Sequence, residues 1–237
     1  MSSPRNDAPD DVDLGRVWVS VAAQVWRRQP GWLERTAGRL LRSPGLARAL
    51  LTTPSLLLPW LLTSVAVLAA GAAATTDSGQ PLVALLAPAV AAAAIAYAYG
   101  PGMDPAWELS CSMAISDRMV LLARALAVFA VNAMLGLAAS AVSASGAAAA
   151  VTFGWLIPMT AVCAFALAVA TVARSANAGA AAGIAAWLII VLSSRVASGH
   201  FAAAVTDTVL FLPYLAAGAV CAAIALCATR IPRGTPR

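Results

Sequence analysis

Six apolar runs follow one another between residues 56 and 228, at about 56–74, 82–100, 119–142, 147–173, 178–194 and 208–228. Each is close to the roughly 20 residues that carry an α-helix across a hydrocarbon core. Between them they use nearly the whole of the chain after residue 50, which leaves no room for a second large domain. Composition agrees: 61% of the 237 residues are hydrophobic and 11% charged, where a soluble domain carries roughly 25% charged residues. Most of the surface therefore faces something other than water. The expected fold is an all-α membrane protein with six transmembrane helices.

The Arg residues fix the expected orientation. All fifteen basic residues are Arg, with no Lys. Eight precede the first run, Arg118 and Arg124 sit at the second connection, Arg174 at the fourth, and Arg230, Arg233 and Arg237 in the tail. With six spans and a cytoplasmic N-terminus, fourteen of the fifteen lie inside and only Arg195 lies outside, as the positive-inside rule requires. Both termini are thus expected in the cytoplasm, in the inner cell membrane. The net charge of +5 is spent on topology and implies no nucleic-acid partner. The first long apolar run begins too late for the h-region of a signal peptide.

Residues 1–13 are acidic and Pro-containing, with almost nothing to bury, and read as a disordered tail. Residues 14–50 read differently. Leu33, Ala37, Leu40 and Leu41 recur at helical spacing, Arg35, Arg39 and Arg42 recur on another face, and Trp18, Trp26 and Trp32 lie in the same stretch. That pattern describes an amphipathic helix lying in the bilayer interface, broken near Gln29-Pro30-Gly31. Residues 51–229 form the six-helix domain, and 230–237 a cytoplasmic tail.

Catalytic machinery is not evident. A P-loop needs a Lys that the chain lacks, so no nucleotide-hydrolysing site of that kind is present. The four Cys, at 111, 163, 221 and 227, include no C-x-x-C pair, and His200 is the only His; neither a metal site nor a bound cofactor is expected. No paired carboxylates fall within the runs, where proton-coupled carriers keep them. The deepest polar groups are Asn132, placed to hydrogen-bond a neighbouring helix, and Arg124, near the inner end of its span and able to snorkel. Gly179-x-x-x-Gly183 and Gly136-x-x-x-Ser140 let helix backbones approach closely, either within one chain or at a dimer seam.

The most informative stretch is the polar interruption 97–118. It reads as a helix exit at Tyr97, a Gly/Pro turn, and a short helix over 104–116 capped by Asp104 with Pro105 at its first position. That helix carries Glu108 and is followed by Ser116-Asp117-Arg118 entering the third span. A short helix held between two spans can pass a push from a soluble partner to the bundle.

At these residues the chain resembles the permease subunits of type-2 ABC exporters. The stretch GPGMDPAWELSCSMAISDRMVLLARALAVFAVN is similar to an actinobacterial permease-like branch, which reads roughly as Gly-Pro, Asp-Pro-Ala, Glu-Leu, small residues, Ser-x-Arg, then Leu-Leu-Ala-Arg. The specific match covers 97–140, and elsewhere the agreement is one of topology. The chain departs from the family at Met113-Ala114-Ile115, where members often carry Pro. The resemblance implies that 104–116 is the cytoplasmic coupling helix. Asp104, Glu108, Ser116, Asp117 and Arg118 would then engage a separate P-loop ATPase, and 14–48 would match the connecting helix along the inner membrane face. It also implies a second permease chain, identical or not, and an outer mouth closed near 195–207. There Arg195 and Asp207 either pair or stand solvated. The competing reading is a membrane scaffold or regulatory protein that transports nothing and acts through its Arg-rich N-terminal region.

Overall fold

The structure, a computed structural model, describes residues 13, 15–20, 31–40, 54–98, 117–143 and 153–229. The chain divides into two compact units, Met1–Arg48 and Ala49–Arg237. In the first, residues 15–20 are helical and α1 spans Trp32–Leu40. Asp13 starts the earlier helix, its Oδ1 accepting from the Arg16 amide at 3.1 Å, which satisfies one of the donors that a helix start leaves free.

The second unit is a bundle of α2 (Pro54–Ser78), α3 (Leu82–Ala96), α4 (Asp117–Ser143), α5 (Leu156–Ala173), α6 (Ala176–Ser198), the single turn α7 (Ala203–Thr206), a 3₁₀ turn (Thr208–Leu210) and α8 (Phe211–Ala228). Among the described residues, five stretches are long and apolar enough to cross a membrane: Pro59–Ser78, Leu121–Ser143, Leu156–Ala173, Ala176–Ser198 and Thr208–Ala228. The chain is a multi-span, all-helical membrane protein. The remaining apolar run differs from expectation, because α3 has only 15 residues, about 22 Å at the usual helical rise, against a hydrocarbon core of about 30 Å.

That short helix is the centre of the bundle. Nine of its 15 residues are buried, Ala92 and Ala96 completely, and it packs against α2, α4, α5 and α6. A helix sheathed in protein need not match the bilayer thickness, since its neighbours rather than lipid satisfy the chain beyond its ends. Elsewhere Ala dominates the interior around a few large side chains, Trp155, Met159 and Trp187, while Leu62, Leu126, Met134, Val142, Ile189, Val196, Leu212 and Val220 point outward. Large apolar groups facing out are what lipid solvation favours, and small ones inside let backbones approach.

Several helix ends lie beyond or short of the apolar runs. In α2 the hydroxyls of Thr75, Thr76 and Ser78 donate to the carbonyls of Gly71, Ala73 and Ala74 at 2.7, 2.6 and 2.6 Å, so polar residues continue the helix past residue 74. Conversely α3 stops at Ala96, where the Ala98 amide donates to the Ile95 carbonyl at 3.0 Å and tightens the last turn. Between α5 and α6, Arg174 takes a left-handed conformation (φ 53°). The next residue, Ser175, caps α6 by accepting from the Ala178 amide at 3.3 Å.

Candidate functional site

The best-defined feature of the bundle is the antiparallel seam of α3 and α6, closed at three levels. At one end the Trp187 indole N–H donates to the Leu85 carbonyl at 2.7 Å. This carbonyl lies next to that of Ala84, whose helical donor is missing because Pro88 has no N–H. In the middle, Gly183 lies so close that a Cβ there would stand 3.1 Å from the Ala92 methyl and 2.8 Å from that of Ala166. At the other end the Tyr97 hydroxyl donates to Asn177 Oδ1 at 2.9 Å. One turn before Gly183, Gly179 meets α5: its Cβ would fall 2.6 Å from the Ala166 carbonyl oxygen and 2.6 Å from the Ala170 methyl. Gly179 and Gly183 therefore sit where α6 touches α5, and Gly183 touches α3 as well.

Asp104, Glu108 and Ser116 lie outside the described residues, as does the whole expected helix 104–116. Asp117 and Arg118 open α4. Tyr97, at the last described turn before that segment, is the residue tied to Asn177. The end of α3 that leads into 99–116 is thus joined to the first turn of α6, beside the Arg174–Ser175 turn.

At the opposite end of α6, Arg195 and Asp207 are engaged separately. The Arg195 guanidinium lies over the Phe201 ring, 4.2 Å from its centroid, while Asp207 Oδ1 accepts from the Val209 amide at 3.0 Å and starts the 3₁₀ turn. Neighbouring contacts hold this connection against the bundle. The Tyr214 hydroxyl donates to the Ala204 carbonyl at 3.0 Å, and Gly154 comes so near that a Cβ would stand 2.7 Å from the Val205 carbonyl oxygen. Arg195→Ala and Asp207→Ala should therefore destabilise independently. Loss of the cap costs on the order of 1 kcal/mol, and loss of the exposed cation–π contact about 0.5–1 kcal/mol. A double-mutant cycle on unfolding should give a coupling below about 0.5 kcal/mol; a clearly larger coupling would mean that the two charges meet.

The interior holds polar atoms whose partners the sequence does not reveal. Asn132 is 2% exposed, and its amide donates to the Val128 carbonyl of its own helix at 2.9 Å, not to a neighbouring helix as its position suggests. Its Oδ1 and the indole nitrogens of Trp60 and Trp155 are buried without a hydrogen-bond partner. Trp155 is fully buried against Gly136, where a Cβ would stand 2.5 Å from its ring. The pairing of a Gly on one span with a Trp on the next is the only sequence signal of this packing, and it requires knowing which helices adjoin. Between α2 and α4 lies an open apolar groove lined by residues including Leu68, Ala72, Leu135 and Ala139. Among the described residues no group of three His, Cys, Asp or Glu side chains is placed to hold a metal ion.

Comparison of the chain with protein-family models, with curated proteins and with solved structures found no match.

Proposed function

We propose that this chain is the membrane-spanning permease subunit of an ABC-type exporter, powered by a separate P-loop ATPase that docks on residues 104–116. In this reading α3 supplies the remaining crossing, both termini are cytoplasmic, and the protein resides in the inner cell membrane. Asp104, Glu108, Ser116, Asp117 and Arg118 meet the ATPase. A second permease chain completes the translocation path, and the region of Arg195 and Asp207 closes the outer mouth. The likeness of 97–140 to such permeases supports this, with one physical observation beside it. The segment 99–116 follows directly on the central helix, and the Tyr97–Asn177 hydrogen bond ties that helix end to α6. A push on the segment would reach α3 and α6 together. The apolar, Ala-rich interior of the bundle suits a hydrophobic or amphiphilic cargo better than an ion.

Glu108→Arg tests the reading. Placed against a complementary ATPase groove, the reversed charge should abolish co-purification of the ATPase while the protein still inserts and elutes as a single species. Unchanged association would remove the coupling role of 104–116, and the absence of any P-loop ATPase in mild-detergent preparations from native membranes would remove the exporter itself. The scaffold reading draws on one observation, the separate compact unit Met1–Arg48. Deleting residues 1–48 should then abolish signalling and leave the bundle intact, whereas an ATPase reading frame adjacent in the genome favours the exporter.

A further inference from the structure

The N-terminal unit combines two kinds of exposed group that seldom occur together on a surface facing water. In α1, Trp32 is 69% exposed, and Arg35 and Arg39 are exposed as well. At 100° per residue these three positions share one face of the helix. The preceding helical stretch exposes Val17, Trp18 and Val19, with Trp18 at 72%. Among the described residues no carboxylate pairs with Arg35 or Arg39, and the ion pair present in this unit joins Arg16 to Asp13. Between residues 14 and 53 the sequence holds seven Arg and a single acid, Glu34.

Trp rings settle at the level of lipid headgroups, and a guanidinium grips a phosphate through two parallel hydrogen bonds. An excess of Arg over acid on a helix that also carries apolar positions is complementary to a negatively charged bilayer surface. A zwitterionic surface offers phosphate too, but each is neutralised by its own ammonium. We propose that the face of α1 formed by Trp32, Arg35 and Arg39 is a docking surface for the anionic phospholipid headgroups of the membrane in which the protein sits. The unit thus attaches according to lipid charge and releases when that charge is diluted or screened. This inference does not depend on the exporter reading, because it needs only a bilayer and makes no use of residues 104–116.

Hydrogen–deuterium exchange of the full-length protein in lipid nanodiscs tests it, following the amides of 31–40 in phosphatidylcholine alone and in phosphatidylcholine mixed with phosphatidylglycerol. Each guanidinium near an anionic surface strengthens attachment on the order of fivefold. Exchange of 31–40 should therefore be slower in the mixed bilayer, and Arg35→Gln with Arg39→Gln should reverse that by on the order of 25-fold, the product of two such factors. Raised salt should have the same direction of effect on the unmodified chain, and Arg35→Lys with Arg39→Lys should keep most of the protection. Equal exchange in the two bilayers would overturn the proposal, since apolar anchoring alone would then hold the helix. So would protection indifferent to salt and to the two Gln substitutions. The lipid and salt comparisons use the unaltered chain, so the result stands even if the variant is poorly folded, and exchange in α3 and α5 reports the integrity of the bundle in the same experiment.

Discussion

Gly179→Val should leave little folded protein. A Cβ at this position would stand 2.6 Å from the Ala166 carbonyl oxygen and 3.0 Å from the Ala170 Cα, so what it meets is helix backbone rather than a side chain that can turn away. Relief requires moving α6 off α5, and α6 also carries the Gly183 contact and the Trp187 and Asn177 hydrogen bonds to α3. Overpacking a core by extra carbons commonly costs about 1–3 kcal/mol. Val adds three carbons at a backbone contact, which puts the loss beyond about 3 kcal/mol by the same measure. The variant should give mainly aggregate on detergent extraction, with a strongly lowered midpoint of unfolding in whatever monodisperse fraction remains. Gly218 supplies the comparison: its Cβ would stand 3.3 Å from the Ala161 Cα, a distance that a slight shift relieves. Gly179→Ala should therefore be clearly more damaging than Gly218→Ala. Equal effects would mean that the close approach of α5 and α6 is not what fixes this part of the bundle.

How much of this was legible in the sequence depended on whether the relevant physics is local. Hydrophobic runs are local, and so the helices appear near where they are expected, at 54–78 for the run at 56–74 and at 176–198 for that at 178–194. Their ends moved because hydroxyl groups such as that of Thr75 bond back to the helix, which a hydropathy reading scores only as polarity. The Gly179/Gly183 spacing was visible as well, but not its partners, Ala166 and Ala92, since which helices adjoin is a property of the whole bundle. The centrality of α3 was hidden for the same reason. Its composition is that of an ordinary span and its apolar run, 82–100, is as long as that at 56–74; that the helix stops at Ala96 shows only in the structure. Arg195 and Asp207 lie twelve residues apart, close enough to suggest a pair; local chemistry decided otherwise, with an aromatic ring next to one and a free amide next to the other. Asp104, Glu108 and Ser116 lie outside the described residues, and the Glu108→Arg association experiment tests the role proposed for them.

Trp187 offers the second large effect, and two substitutions there separate packing from hydrogen bonding. The side chain is 1% exposed and its N–H donates to the Leu85 carbonyl at 2.7 Å. Trp187→Phe keeps most of the volume and removes the donor. Hydrogen bonds between membrane helices contribute about 0.6 kcal/mol on average and up to about 1.7. A loss within that range is expected here, because the bond closes one end of the α3–α6 seam. Trp187→Ala also empties the space between α3 and α6. Lipid is as apolar as the cavity, so little of the loss is a transfer term; what goes is the packing that holds membrane helices together. About 3 kcal/mol is expected, the lower end of what such truncations cost in soluble cores. Unfolding in mixed micelles of the two variants should therefore differ by at least about 1 kcal/mol, with Phe the milder. If Phe proved as harmful as Ala, the indole N–H rather than the ring would be holding the seam. If neither mattered, the Trp187–Leu85 contact would have no part in joining α3 to α6, and the Gly183–Ala92 approach and the Tyr97–Asn177 hydrogen bond would hold the seam.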